Sequence, residues 1–194
     1  MNASAQTNPL RVGIGGPVGS GKTTLLNRIL TADHGRRIAV IVNEFGEVGI
    51  DQALLRPGSD ETILLGNGCL CCRMASDLQQ TCAALMRDRA RGSVPPFERI
   101  IVEPSGLADP GPILQALMAD AELNGVYALN GVITVVDALL GLATLDQHDT
   151  SRRQAAVADR IVLTKCDLAD ARRPAQLMGE RLDRLLVVAK RRDL

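Results

Sequence analysis

A glycine-rich segment near the start of the chain has the residue types and spacing needed to hold a phosphate chain. Residues 16–23, here called the phosphate loop, fit the pattern G-x-x-x-x-G-K-[ST]. Glycine permits positive φ, so consecutive N–H groups can point at phosphate oxygens. The Lys22 ammonium can reach the β- and γ-phosphates, and the Thr23 hydroxyl can bind Mg²⁺. We predict nucleotide contacts from Gly16, Gly19, Ser20, Gly21, Lys22, Thr23 and Thr24.

An acidic residue ends a later apolar segment. Residues 99–102 lead into Glu103, and Gly106 follows three positions later. A carboxylate at a strand end beside a phosphate loop can hold a Mg²⁺-bound water, and the Gly106 N–H could approach the γ-phosphate. The alternative is an ordinary acidic strand end. Because a phosphate loop is present, we predict that Lys22, Thr23 and Glu103 form the catalytic centre.

A second short motif favours guanine as the base of the nucleotide. Thr164, Lys165 and Asp167 fit [NT]-K-x-D directly after an apolar segment. The Asp167 carboxylate can accept hydrogen bonds from the two adjacent donors of guanine, which adenine lacks. The stem of Lys165 can lie along the base and ribose. Asp167 could instead simply cap a helix.

Three cysteines lie within four positions, at Cys69, Cys71 and Cys72. Three thiolates this close can bind one soft or borderline metal ion such as zinc and leave one position exchangeable. Glu44 and Glu47 are weaker candidates for additional metal ligands. A redox-active pair and plain packing of buried cysteines are the alternatives.

Composition narrows the function classes further. The chain has 194 residues, 46% of them hydrophobic, with 22 basic and 22 acidic residues. A balanced charge gives no reason to expect binding to nucleic acid or to an anionic membrane. No apolar run approaches the length of a transmembrane helix. Clustered cysteines fit metal binding in a reducing compartment, so we expect a cytoplasmic protein.

Apolar runs alternate with helical patterns along the chain, which predicts an α/β fold with a mostly parallel sheet between two helical layers. We predict strands at 11–14, 36–42, 61–65, 98–103, 131–136, 160–163 and 186–189, and helices at 24–30, 74–91, 113–119, 150–158 and 174–185. Ligands bind at the carboxyl edge of such sheets. The phosphate loop, the cysteines, Glu103 and residues 164–167 are all expected at that edge.

These motifs together resemble one family in their order along the chain. The matching segments are the phosphate loop, Asn43–Glu47, Gly68–Cys72, Glu103–Pro110 and Thr164–Asp167. They are similar to the CobW-type branch of the metal-handling P-loop GTPases, a class that also holds the urease- and hydrogenase-accessory proteins. The resemblance covers residues 11 to 170. The phosphate loop itself is more similar to that of the urease-accessory branch.

The resemblance implies a P-loop NTPase fold and a GTP-hydrolysing metallochaperone. It implies GTP or GDP, Mg²⁺ and zinc or cobalt as ligands, a client metalloprotein, and a nucleotide-dependent homodimer. It also makes Asp51 a candidate Mg²⁺ ligand and gives the metal role to the three thiols. Residues 1–9 are expected to be a disordered lead-in, and 10–194 a GTPase domain without the family's usual C-terminal domain.

Two other functions are compatible with the same residues. The first is an ATP-using P-loop enzyme, in which the T-K-x-D segment does not select guanine. The second is a non-catalytic zinc-binding interaction module that retains a phosphate loop without hydrolysis. Competition between ATP and GTP separates the first from our prediction, and the effect of Lys22→Ala on hydrolysis separates the second.

Overall fold

A computed structural model describes residues 10–32, 35–42, 62–66, 74–119, 127–170 and 186–188. Seven strands lie in this part of the chain: β1 (Leu10–Gly15), β2 (Ile38–Val42), β3 (Thr62–Gly66), β4 (Arg99–Glu103), β5 (Ala128–Asp137), β6 (Arg160–Thr164) and β7 (Leu186–Val188). The described helices are α1 (Lys22–Thr31), α2 (Met74–Arg91), α3 (Pro110–Ala119), α4 (Gly141–Gln147) and α5 (Asp149–Ala156).

The strands form one parallel sheet in the order β3-β2-β4-β1-β5-β6-β7. Strand β1 is central, with β4 on one side and β5 on the other. Because every strand runs in the same direction, all the carboxyl ends meet at one edge of the sheet, as the sequence predicts. None of the helices in the described part of the chain combines the length and apolar character that a membrane-spanning segment needs.

Strand β2 shows how the sheet is covered. Successive side chains of a strand face opposite sides of the sheet, and all five residues of β2 are buried. Ala39 and Ile41 pack in a cluster with α2 and α3, whereas Ile38, Val40 and Val42 pack in a cluster with α1. Helices therefore cover both faces, which confirms the predicted three-layer α/β/α architecture and explains the continuous apolar strands.

Helices α4 and α5 cover the β6 half of the sheet. Leu145 of α4 and Ala155 of α5 pack with Val136 of β5, while the preceding residue, Val135, belongs to the cluster under α1. The two helices therefore lie on the same face as α2 and α3, and α5 contacts α3. This contact brings α5 next to the loop that joins β4 to α3.

Three elements differ from the sequence predictions. Strand β5 begins at Ala128 rather than at 131, because its first residues pair with β1 while remaining largely outside the core. Helix α3 begins at Pro110, three residues before the predicted start at 113, since the Asp109 carboxylate accepts a hydrogen bond from the Gly111 N–H. Helix α4 was not predicted. The predicted helix 174–185 lies outside the described residues.

Candidate functional site

The phosphate loop has the backbone conformation that its glycines suggest. Gly16, Gly19 and Gly21 all have positive φ, at 143°, 73° and 93°. At Gly16 a side chain is excluded as well, because a Cβ would collide with the carbonyl oxygen of Val135 and approach the Ser20 hydroxyl. Helix α1 begins at Lys22, within the loop, so the N-terminal end of the helix faces the same space.

Two polar side chains of the loop, Lys22 and Ser20, are buried. Lys22 is only 6% exposed and donates a hydrogen bond from Nζ to the Pro17 carbonyl oxygen at 3.1 Å. The Ser20 Oγ is buried and has no hydrogen-bond partner within the described part of the chain. A buried hydroxyl without a partner is costly. This loop therefore fits a phosphate ligand, which would supply acceptors to both side chains.

Thr23 and Glu103 meet at the end of β4, although they are 80 residues apart in the sequence. The Thr23 hydroxyl donates to the Glu103 Oε1 at 3.1 Å, and Glu103 is 1% exposed. A hydroxyl and a carboxylate side by side are the hard oxygen ligands that Mg²⁺ prefers. The residues present thus fit a Mg²⁺ ion at the position where the sequence predicts one.

The loop after β4 lies directly against the phosphate loop. A Cβ added to Gly106 would come within 2.5 Å of the Val18 N and 2.8 Å of the Pro17 carbonyl carbon. Only glycine allows this approach of the two backbones. That the Gly106 N–H approaches the γ-phosphate stays a prediction, and it requires Gly106 to lie this close to the phosphate loop.

The T-K-x-D segment contacts the opposite end of the phosphate loop. The Thr164 hydroxyl donates to the Ser20 carbonyl oxygen at 2.6 Å. The Lys165 ammonium donates to the Gly19 carbonyl oxygen at 2.9 Å and to the Asp137 Oδ2 at 2.6 Å. Lys165 also has φ of 56°, which is unusual for a residue with a side chain. These bonds join the phosphate loop to the ends of β5 and β6.

Asp137 is a site residue that the sequence analysis did not identify. Its Oδ2 binds Lys165, and its Oδ1 accepts hydrogen bonds from the Leu139 and Leu140 N–H groups at 2.7 and 3.2 Å. These last bonds turn the chain from β5 into α4. A usable signal existed, because Asp137 ends an apolar strand next to the phosphate loop, as Glu103 does. Asp167 is exposed at the same edge.

Helix α5 contacts the loop after β4 through two further residues that the sequence analysis missed. Gln154 is 2% exposed and donates from Nε2 to the carbonyl oxygens of Gly106 and Ala108, at 3.2 and 3.0 Å. Arg153 forms an exposed ion pair with Asp109 at 2.6 Å. The Gly111 N–H, and secondly the Arg153 guanidinium, hold the pKa of the Asp109 carboxyl below its usual value. No local sequence pattern indicates that Gln154 or Arg153 contacts this loop.

The predicted metal-binding residues Cys69, Cys71 and Cys72 lie outside the described residues, as do Glu44, Glu47 and Asp51. Strand β3, which ends at Gly66 just before the cysteines, reaches the carboxyl edge of the sheet three strands away from β1. With about 4.8 Å between strands, this separation is about 14 Å. Within the described ranges no cluster of histidine, cysteine, aspartate or glutamate could hold a metal ion.

Known proteins resemble this chain over most of its length. It is 40% identical over 179 residues to the zinc chaperone YjiA of Escherichia coli, which covers 92% of this chain and 55% of that protein. It is 33% identical over 160 residues to the zinc-regulated GTPase metalloprotein activator 1 of Schizosaccharomyces pombe, covering 79% and 38%. The chain therefore spans about half, or less, of the length of these relatives.

Solved structures agree with this relationship. The crystal structure of Zn(II)-bound YjiA GTPase from Escherichia coli superposes with a TM-score of 0.71 at 33% identity, over 97% of this chain and 57% of that one. The profile of the CobW/HypB/UreG nucleotide-binding domain matches residues 10–190. With the phosphate loop and the T-K-x-D segment joined at one edge of a parallel sheet, this chain belongs to the CobW/HypB/UreG nucleotide-binding domain family.

Proposed function

We propose that this chain hydrolyses GTP with the help of Mg²⁺ and couples the state of the nucleotide to binding and transfer of a transition metal, with zinc favoured over cobalt. The observation that carries the proposal is the geometry of the phosphate loop, which is bonded to the catalytic candidate Glu103 through Thr23 and to the guanine motif through Thr164. The activities named for the similar zinc chaperone and for the zinc-regulated GTPase metalloprotein activator support it.

The residues of the phosphate loop bind and orient the triphosphate in this proposal. Lys22 moves its ammonium from the Pro17 carbonyl to the β- and γ-phosphates, and the Ser20 hydroxyl gains a partner. Thr23 and Glu103 would hold Mg²⁺, with Asp51 as a weaker candidate for the same role. When bound, the ion neutralises charge that develops on the phosphate oxygens.

Guanine selection is assigned to Asp167, with Lys165 and Thr164 holding the motif against the phosphate loop. The Asp167 carboxylate would accept hydrogen bonds from both adjacent donors of guanine. With adenine it would face no such donor pair, so ATP is discriminated against by an unpaired charge. The exposure of Asp167 leaves its carboxylate accessible for this contact.

The transition metal ion is bound in order to be transferred, and we assign its binding to the thiolates of Cys69, Cys71 and Cys72. Glu44 and Glu47 are weaker candidate ligands. The cysteine segment joins β3 to α2 and therefore starts at the carboxyl edge that carries the phosphate loop. Loops that order around the γ-phosphate, at 43–51 and 104–110, would transmit the nucleotide state to it. Equal zinc affinity of the GTP-analogue and GDP forms would contradict this coupling.

Hydrolysis is tested by phosphate release from GTP and from ATP. We expect turnover with GTP, slow without a partner, that is lost in Lys22→Ala and retained in the charge-matched control Lys190→Ala. Asp167→Asn should weaken the preference for GTP over ATP, whereas Asp170→Asn, at an exposed position three residues later, should not. Equal use of ATP by the unaltered chain would favour the ATP-using alternative, and hydrolysis that survives Lys22→Ala would contradict the proposed site.

Metal binding is tested by zinc titration of the chain with GTP analogue, with GDP and with neither. We expect one zinc ion per chain, loss of binding in Cys71→Ser, and little change in the matched variant Cys166→Ser, since that thiol is half-buried elsewhere. Affinity should rise with pH because the thiols release protons on binding. A disulfide among the three cysteines with little zinc would favour the redox alternative.

The partners and location are part of the same proposal. A client metalloprotein and a nucleotide-dependent second copy of the chain are the expected protein partners. Exposed apolar side chains at Val18 and Leu107, beside the phosphate loop, support a protein contact at this edge. A reducing compartment such as the cytoplasm would keep the three thiols competent for zinc.

A further inference from the structure

The side chain of Gln154 holds the loop after β4 from beneath. A primary amide has two N–H donors on nitrogen and acceptor sites on oxygen. Both near neighbours of the Gln154 amide are carbonyl oxygens, those of Gly106 and Ala108, so the nitrogen must face them. The other end, Oε1, is buried and has no hydrogen-bond partner among the described residues. An apolar side chain at this position would avoid that cost.

Gly106 is held between two fixed groups as a result. On one side its Cα lies against the peptide that joins Pro17 and Val18 in the phosphate loop. On the other side its carbonyl oxygen accepts the hydrogen bond from Gln154. The position of the Gly106 peptide relative to the phosphate loop is therefore set by the phosphate loop and by α5 together.

The hydrogen bonds from Gln154 add to the packing that places this loop, in which Ala108 belongs to the core under α2 and α3. A cavity of about 40 Å³ lies beneath it, lined by apolar groups of Pro104, Ala108 and Pro110 and by the polar side chains of Thr134 and Gln154. Unfilled space on this side means fewer close contacts than a fully packed core provides. In the described part of the chain, the two bonds from Gln154 are buried hydrogen bonds that reach residues 106–108 from another element.

We propose that Gln154 is a positioning residue for the γ-phosphate end of the nucleotide site, acting through the loop at 104–110. This inference rests on the proposed GTP hydrolysis. Gln154 touches neither phosphate nor metal in this proposal. It fixes the carbonyls of Gly106 and Ala108, so that the Gly106 peptide is already placed when the γ-phosphate arrives, and the cost of ordering the loop on binding is smaller.

The test compares Gln154→Met with Gln79→Met. Gln79 makes the same kind of bond, from its amide to the Ala116 carbonyl oxygen at 3.0 Å, but away from the phosphate loop. Affinities for a non-hydrolysable GTP analogue and for GDP are measured in both, with thermal stability and with kcat and KM for GTP. The ratio of the two affinities is the decisive value, because general loss of stability would not change it.

We expect Gln154→Met to weaken binding of the GTP analogue by about tenfold, as the loss of two hydrogen bonds suggests, and to change GDP affinity by less than about twofold. Its kcat for GTP should fall by a similar factor. Gln79→Met should lower thermal stability without changing the ratio. An unchanged ratio in Gln154→Met, or an equal loss for both nucleotides, would overturn the inference.

Gln154→Asn provides the second variant if Gln154→Met does not fold. It keeps the amide but withdraws the nitrogen by one methylene, so the ratio should shift in the same direction. The failure of this inference is distinguishable from failure of the proposed function. If the unaltered chain hydrolyses GTP and both Gln154 variants keep its affinity ratio, only the role of Gln154 is refuted. If the unaltered chain does not hydrolyse GTP, the proposed function fails first.

Discussion

Two different kinds of contact hold the phosphate loop, one from the β6 side of the site and one from the β4 side. On the β6 side, defined by Asp137, Thr164 and Lys165, side chains at strand ends bond directly to the loop carbonyls, with an ion pair of 2.6 Å among them. On the β4 side, defined by residues 104–110, a connecting segment lies against the loop backbone. A neutral amide from α5 and an exposed ion pair hold that segment.

The difference follows from what each side would contact. Guanine is the same in GTP and GDP, so the β6 side can be fixed by strand ends and a mostly buried carboxylate. In the proposed function the γ-phosphate is present only in GTP, so the β4 side is the part that would differ between the GTP and GDP forms. Neutral hydrogen bonds and an exposed ion pair are each worth about 1 kcal/mol or less. Restraints of this size would place the loop for the γ-phosphate and be lost when that phosphate leaves, whereas the strand ends would stay in place.

The largest expected effect is on the β4 side, from Gly106→Ala. The new Cβ would come within 2.5 Å of the Val18 N, so one of the two backbones must move. A displacement of about 1 Å at the reacting groups can cost about 100-fold in rate, and we expect a loss of hydrolysis of that size. Phosphate release measures it, with Gly111→Ala in helix α3 as the control. Wild-type turnover in Gly106→Ala would show that the two backbones separate at no cost.

A smaller effect is expected on the β6 side, from Asp137→Asn. The variant keeps an oxygen for the Leu139 and Leu140 N–H groups but places an amide against the Lys165 ammonium. Loss of one charged hydrogen bond should lower affinity for GDP and for a GTP analogue together, by about tenfold. Equilibrium binding of both nucleotides measures this, with Asp146→Asn as the exposed control. A loss of affinity for the GTP analogue alone would contradict the assignment of the γ-phosphate to the β4 side and of the guanine base to the β6 side.

The smallest effect is expected from the exposed ion pair between Asp109 and Arg153 on the β4 side. It is a dependence of the stability of the fold on pH. The pKa of Asp109 is lowered from 3.8 by the Gly111 N–H and then by Arg153. A lowered folded-state pKa means that the carboxylate stabilises the fold above the unfolded pKa, and that this stabilisation is lost as pH falls through the folded value. Asp109→Asn should therefore be less stable than the unaltered chain at pH 7, by about 0.5 kcal/mol for so exposed a pair.

Denaturant unfolding at pH 7 and below pH 3.8 measures that difference, which should shrink as the pH falls. Arg153→Ala removes the second cause and leaves the first, so it should retain part of the pH dependence. A stability difference that stays constant over this range would mean that Asp109 is not stabilised in its charged form by these partners.

The sequence predicted most of the sheet because buried parallel strands carry their own signal. Strand β2 is apolar at all five positions, and the phosphate loop needs glycine at positions with positive φ. Helix α4 was not predicted because its sequence carries no comparable local signal. It starts at Gly141, has no side-chain cap, and follows a turn made by the carboxylate of Asp137. Strand β5 was predicted too short because its first residues are stabilised by pairing and not by burial.

The sequence alone determined which chemistry this chain carries: a phosphate cradle, an acid after β4, a guanine-type motif and a cysteine cluster, each defined by residue types at short spacing. Only the tertiary structure decided what holds these parts in place. Gln154 lies 48 residues from Gly106 in the chain, and Lys165 lies 28 residues from Asp137. The neighbouring residues of a polar side chain in the sequence do not indicate its hydrogen-bond partner. That partner depends on the order of the strands in the sheet and on which helix packs beside which loop.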